Sequence, residues 1–253
     1  MVKGRTEKRM DLKDKNIIIT GSADRIGKAI ALGLAKEGAH VAIHYHDSKK
    51  NATHTIKEIT QAGGKAYAFK ADFNHIDQIK RLIDNAKKAL GSIDVLINCA
   101  SLFYLTPISS IKESQWDNIM NINLKAAFFC SKYAGKYMLE QGKGKIITIS
   151  DIGAIKPWKF YSSYCISKAG LIAMTKVLAK EFAPSISVNA IAPGNILPGK
   201  NLSSSMVATL KSKALLDRIG SPHEIIECIK FILKSEFVTG SIFTIDGGQL
   251  LKT

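Results

Sequence analysis

"NIIITGSADRIGKAIALGLAKEGAHVAIHY", residues 16–45, decides the fold. Ile17, Ile18 and Ile19 form a short β-branched apolar run, which reads as a buried strand entering a turn at Gly21. "RIGKAIALGLAKEGA" then has helical spacing. Ile26, Ile30 and Leu34 fall on one stripe, and Gly38 closes the helix. "HVAIHY" is a second strand. The alternation continues outward from this unit. A helix through "SKKNATHTIKEITQAGG" leads to the strand "KAYAFKAD". A helix over about 75–90, the strand "IDVLINCA", a long helix over about 115–141 and the strand "KIITIS" follow. The helix holding "YSSYCISK", the strand "SISVNAIAPG", helices near 201–215 and 222–234, and "SIFTIDGG" end the series. Strands that alternate with helices throughout imply a parallel sheet covered on both faces, the doubly wound α/β architecture. No linker or internal repeat interrupts it. The chain reads as one domain over 15–253, preceded by a basic, flexible lead-in over 1–14.

Forty-six per cent hydrophobic residues suffice for a sizeable core in 253 residues. No apolar run approaches the ~20 residues that span a membrane, and "MVKGRTEKRMDLKDK" lacks the apolar stretch of a secretory signal. Cys99, Cys130, Cys165 and Cys228 show neither a CxxC pair nor metal-ligand spacing, so no metal is expected and a reducing cytoplasm is the natural setting. The net charge of +15 attracts anions in general. Yet the lysines are scattered and only five arginines are present, so the charge reads as a solvated surface rather than a nucleic-acid face.

A glycine turn that opens a helix can hold a pyrophosphate, because the helix start offers free N–H groups and partial positive charge. In "TGSADRIG" (20–27), Gly21 makes the turn and Gly27 brings the helix close to the sheet, although the GxGxxG spacing is absent. An acidic residue ending the second strand would hold the ribose of NAD. Here Tyr45 ends it, and "HDSKK" follows. His46, Ser48 and Lys49 could hold a 2′-phosphate, which favours NADPH; Asp47 is a contrary sign. Tyr164 and Lys168 lie one helical turn apart. An ammonium beside a phenol lowers the phenol's pKa and makes it a usable proton donor.

Taken together, these pieces resemble the short-chain dehydrogenase/reductase superfamily over about 13–250. They come in the family's order: "TGSADRIG", "AD" at 71–72, "NCAS" at 98–101, "NINL" at 121–124, "YSSYCISK", "NAIAPG" and "TGSIFTIDGG". The resemblance implies a Rossmann-type fold, hydride transfer with a nicotinamide, and a homotetramer with no nucleic-acid or membrane partner. It implies Tyr164 as proton donor, with Lys168 tuning it and binding ribose. Asn123 would hold a relay water, and Asp72 would lie beside adenine. Gly21, Arg25, Ile26, Gly27, Tyr45, His46, Ser48, Asn98, Ala100, Pro193 and Gly194 would complete the cofactor site.

One position departs from the family. A serine is usual thirteen residues before the tyrosine; here Asp151 stands there. Ser150 is adjacent but faces the opposite way on a strand. A serine donates a hydrogen bond to a ketone oxygen, whereas an ionised carboxylate only accepts. A ring C=N flanked by N–H groups suits Asp151 better, and that describes a pterin. The chain is similar to the pteridine reductase branch in "HYHDS" and in Asp151, Arg25, Ser101, Phe103 and Tyr161, and these five residues would form the substrate site with Tyr164. Asp47 and Cys99 depart from that branch. Phe103 and Tyr161 also read as packing residues. Two alternatives stay open: a 3-oxoacyl-carrier-protein reductase, whose acidic partner the basic surface would suit, and a non-catalytic NADP-binding sensor or scaffold.

Overall fold

The computed structural model describes residues 11–197 and 202–252. Seven strands form one parallel sheet: β1 (Asn16–Ile19), β2 (His40–Tyr45), β3 (Ala66–Lys70), β4 (Val95–Asn98), β5 (Gly144–Ile149), β6 (Ile186–Pro193) and β7 (Ile242–Ile245). Their spatial order is β3-β2-β1-β4-β5-β6-β7. The chain winds outward from β1 to β3 and then crosses back to β4. The seam between β1 and β4 is therefore the switch point at which ligands of open α/β sheets bind. β1, β4 and β5 are buried along their whole length, which is why their sequences run apolar without alternation.

Two apolar clusters flank the sheet. On one face α1 (Arg25–Lys36), α2 (Lys49–Gln61) and α8 (Pro222–Lys234) contribute Ile30, Leu34, Ile59, Ile225 and Ile229. On the other, α3 (Ile76–Leu90), α5 (Ala126–Glu140) and α6 (Ser162–Phe182) contribute Ile79, Ile83, Ala134, Leu171 and Leu178. Each of these side chains lies on an i, i+4 stripe of its helix, which is how the sequence periodicity becomes a buried face. The shorter α7 (Ser204–Ser212) stands near the sheet's C-terminal edge and buries none of its side chains. Among the described residues, no helix is long and apolar enough to cross a membrane.

Two boundaries differ from the sequence expectation. Leu12 is buried, and the Asp14 amide donates to the Gly38 carbonyl at 2.9 Å. The domain thus takes in the end of the expected lead-in; residues 1–10 lie outside the described residues. The long helix expected over 115–141 is α4 (Glu113–Met120) joined to α5 by a π-helical turn, Asn121–Lys125. Asn123 within this turn is buried. Its Oδ1 accepts from the Leu102 amide at 2.7 Å, and its Nδ2 donates to the Leu102 carbonyl at 3.0 Å and to Ser167 Oγ at 3.2 Å. Such local widening of a helix is common where a side chain is re-aimed for function.

Candidate active site

A cavity of about 1370 Å³ opens at the C-terminal ends of the strands. Its lining runs from Gly21, His46 and Asp72 at one end to Asp151, Trp158 and Tyr164 at the other.

The first end is built around the glycine turn. Gly21 has φ +64°, and a Cβ there would stand 2.6 Å from the Ala100 Cα, so only glycine lets the turn approach the end of β4. The Cys99 and Ala100 amides both donate to Thr20 Oγ1, at 2.9 and 3.1 Å, which fixes that approach. Asp24 caps α1 by accepting from the Arg25 amide at 2.8 Å. The Ile26 and Gly27 amides bond nothing among the described residues. Orphaned donors at a helix start beside a glycine cradle fit the phosphates of a dinucleotide. Ile26, Gly27, Ala100, Pro193 and Gly194 all line the cavity.

Beyond β2 the expectation is corrected in part. His46 lines the cavity, with Asp47 Oδ2 3.0 Å from its Nδ1. Tyr45 does not; it packs against the core cluster on the α1 side. Alternation along a strand explains this, since His44 and His46 share one face and Tyr45 takes the other. Ser48 is exposed ahead of α2 and is absent from the lining. Asn98 is buried away from the cavity and donates to Ser131 Oγ at 2.9 Å. Asp72 lies beside His46. Burial opposes its ionisation, but bonds from the Asn74 amide and side chain, with His46 and His75 nearby, hold its carboxyl below the usual range.

At the second end, Tyr164 Oη donates to Asp151 Oδ2 at 2.9 Å, and Asp151 Oδ1 accepts from the Gly153 amide at 2.7 Å. Ser150 is turned inward, its Oγ donating to the Lys168 carbonyl at 2.9 Å. It takes no serine role at the reacting centre, as its place beside Asp151 implied. Lys168 is buried; its Nζ donates to the Ile149 carbonyl at 3.0 Å and lies 5.6 Å from the Tyr164 ring centre. The expected lowering of the phenol pKa does not occur in this arrangement. Burial, and then the Asp151 carboxylate, push Tyr164 above its ordinary value. Burial also raises Asp151 and lowers Lys168, while each charge partly offsets the other's shift. The carboxylate wins at Tyr164 because it is bonded directly to the phenol. The result is a neutral, proton-bearing phenol beside a carboxyl group that burial drives towards its own neutral form.

Aromatic rings frame this centre. Phe103, 56% exposed, stacks on Tyr161 (4.7 Å, 5°) and meets Tyr164 edge-on (4.8 Å, 74°). Trp158 lies near-parallel to Tyr164 at 6.1 Å. Arg25 adopts φ +51°, a left-handed conformation costly for a side-chain-bearing residue, and its guanidinium donates to the Leu197 carbonyl at 3.1 Å. Ser101 lines the wall between the two ends. Asn123 sits behind this wall with its side chain committed to Leu102 and Ser167, so it does not line the cavity.

A model of the family described as short chain dehydrogenase matches residues 15–206. The chain belongs to the short-chain dehydrogenase family. It is an oxidoreductase of the kind that uses a nicotinamide cofactor. A 3-oxoacyl-[acyl-carrier-protein] reductase FabG of Thermotoga maritima is 37% identical over 247 residues, 96% of this chain and 100% of its own. The FabG reductase of Staphylococcus aureus is 33% identical over 242 residues, 94% and 98% of the two chains. Among solved structures, a dehydrogenase/reductase from Sinorhizobium meliloti 1021 superposes with TM-score 0.88 at 32% identity, covering 94% of this chain and 97% of its own. Acetoin dehydrogenase YohF from Salmonella typhimurium gives 0.86 at 31%, covering 94% and 98%. These relatives show the superfamily, and the two reductases speak for the ketone alternative over the pteridine branch.

Sequence reasoning missed His44 and Thr20 at the site and reads Trp158 only as a packing or rim residue. His44 was legible through its alternation with Tyr45, and Thr20 through its place just before the glycine turn. Trp158 lies in an irregular segment where no periodicity points inward.

Proposed function

We propose that this enzyme is an NADPH-dependent reductase of a small nitrogen heterocycle, of pterin or dihydropterin type. The observation that carries this reading is the 2.9 Å bond between Tyr164 and Asp151, at a position where a ketone reductase of the family would offer a serine hydroxyl. When bound, the cofactor supplies a hydride to a ring carbon. Tyr164 Oη gives its proton to the adjacent ring nitrogen and is re-protonated from solvent, while Asp151, which accepts from Tyr164 Oη, is placed to accept from a ring N–H as well. The raised pKa of Tyr164 keeps it a proton-bearing donor. Phe103 offers an exposed flat ring to stack on a planar substrate. Arg25, Ser101 and Tyr161 line the same cavity. Lys168 lines the cavity, where it would hold the nicotinamide ribose, while Asn123 acts from behind by holding the Leu102 backbone.

For the cofactor, His46 lies beyond β2, with Asp47 drawn to its imidazole. His46 in the cavity lining, with no carboxylate ending β2, supports NADPH, and the Asp47 charge beside it is the contrary sign. NADPH is expected to bind at least about tenfold more tightly than NADH, or about 1.4 kcal/mol. Equal or tighter NADH binding in a fluorescence titration removes NADPH from the proposal. A homotetramer is supported by large apolar side chains left exposed on two helices: Phe128 and Leu139 of α5, and Ile166 and Val177 of α6. Sedimentation velocity tests it, and a monomer at micromolar concentration removes it.

The second reading, a 3-oxoacyl-carrier-protein reductase, is favoured by the two curated relatives over the pterin substrate. NADPH oxidation with dihydropterin, with acetoacetyl thioester and with neither separates the readings. Turnover on dihydropterin alone supports the heterocycle. Turnover on the thioester alone transfers the assignment to the ketone, and turnover on neither promotes the non-catalytic alternative.

A further inference from the structure

His44 is a buried histidine that the proton chemistry does not use. It stands on β2, 4% exposed, between the glycine turn after β1 and the end of β3. Its Nδ1 is 3.0 Å from the Gly21 amide, and its Nε2 is 3.0 Å from the Ala71 carbonyl. The Gly21 amide is a donor, so Nδ1 accepts, Nε2 carries the hydrogen, and the ring is neutral. Phe73 stacks on it at 4.0 Å, with the planes 4° apart. Its backbone exchanges further bonds with Ser22: the Ser22 amide donates to the His44 carbonyl at 3.1 Å, and the His44 amide donates to Ser22 Oγ at 3.3 Å. The ring thus bridges two segments that both line the cavity, Gly21 and the Ala71–Asp72 pair.

We infer that His44 is a positioning residue for the dinucleotide, its neutral imidazole pinning the Gly21 amide so that the glycine turn holds the shape that presents the α1 start to the phosphates. The reason lies in Gly21 itself. Glycine crosses between left- and right-handed backbone regions at little cost, so the conformation needed next to Ala100 is open to drift. An amide held by an inward acceptor cannot rotate toward solvent or the phosphates. The same ring, anchored on the Ala71 carbonyl, sets the distance between the turn and Asp72. The inference rests on the family's use of a nicotinamide cofactor and not on the substrate proposed above.

The test is NADPH binding by fluorescence titration, with thermal melting of each variant, on the parent and on H44N, H44Q and H44L. Asparagine can place an acceptor near the Nδ1 position; glutamine reaches the Nε2 position; leucine does neither. H44L and H44Q are expected to raise the NADPH Kd about tenfold, the worth of one hydrogen bond at a buried site. H44N is expected to remain within about threefold of the parent. Equal weakening in all three variants, or weakening in none, overturns the inference. Should leucine fail to fold, the Asn–Gln pair and ¹⁵N imidazole shifts of the parent decide. At neutral pH the shifts must show the Nε2–H tautomer; the Nδ1–H tautomer or a charged ring contradicts the inference.

Discussion

The two ends of the cavity are built on opposite electrostatic plans. At the turn end, Thr20, Ser22 and His44 are buried, neutral and bonded to backbone, so their burial costs little. At the other end a carboxyl, a phenol and an amine are buried within reach of one another, and burial works against the charged form of each. Asp151 accepts only one amide bond and one phenol bond. A fold could fill that space with apolar side chains at less cost. The difference teaches that the first end is scaffold for a ligand that brings its own charge, while the second keeps expensive groups because protons move there.

That contrast can be broken most severely at Tyr164. Tyr164→Phe removes the proton donor but none of the turn, so kcat is expected to fall on the order of 10²-fold or more while NADPH affinity stays within about twofold. Steady-state kinetics beside a binding titration check this, and a near-normal kcat means the proton comes from elsewhere.

The next effect lies at the turn end and is read in stability against pH. Burial lowers His44 from 6.5 to about 4, with the Ala71 carbonyl opposing and nearby His46 adding to the shift. A depressed histidine is protonated more readily in the unfolded chain. Stability is therefore fully present above about pH 6.5 and is lost as pH falls towards 4, by on the order of 3 kcal/mol. Denaturant unfolding at a series of pH values should show this slope in the parent and a flatter one in H44N. Asp72, held below its usual range, adds a loss of the same sign only at still lower pH.

A smaller effect is expected from Gly21→Ala, whose new Cβ meets the Ala100 backbone at 2.6 Å and whose φ of +64° strains an L-residue. A loss of about 1–3 kcal/mol in stability, with weaker NADPH binding, is the expected outcome. An unchanged melting curve would show that the close approach is not required. The smallest effect is at Asp151. Its pKa is raised by burial, so its contribution is favourable below the ordinary carboxyl value and is lost as pH rises through the raised one. Asp151→Asn should therefore raise Tm at neutral pH, and the gain should vanish in acid. A lower Tm at neutral pH contradicts the cost assigned to the buried carboxyl.

Legibility in the sequence follows the same division. Strand runs, helical stripes and the glycine turn are periodic or punctuated signals, and they predict the parallel sheet covered on both faces and the nucleotide turn after β1. Asp151, Tyr164 and Lys168 are readable by spacing, and so is the inward turn of Ser150. The sign of the shift at Tyr164 is not, because it depends on the carboxyl bonding the phenol while Lys168 Nζ turns to the Ile149 carbonyl. Its position at the strand end suggests Tyr45 for the cofactor site beside His46, but strand alternation brings His44 to the cavity in its place. The π-helical turn that turns Asn123 onto Leu102 carries no composition signal that separates it from an ordinary helix. Trp158 sits between Asp151 and α6, where side-chain direction is set by tertiary packing alone.

The sharpest single measurement is the ratio of dihydropterin to acetoacetyl-thioester turnover in Asp151→Ser against the parent, at fixed pH and saturating NADPH, with NADPH affinity measured alongside. Serine lacks the carboxylate that accepts from a ring N–H, but it restores a donor suited to a ketone oxygen. If Asp151 serves a ring nitrogen, the substitution lowers pterin turnover while ketone turnover rises or holds, and the ratio falls. Pterin turnover unchanged by serine, or absent in the parent while the ketone is reduced well, contradicts the heterocycle reading and assigns the enzyme to the acyl-carrier reductases.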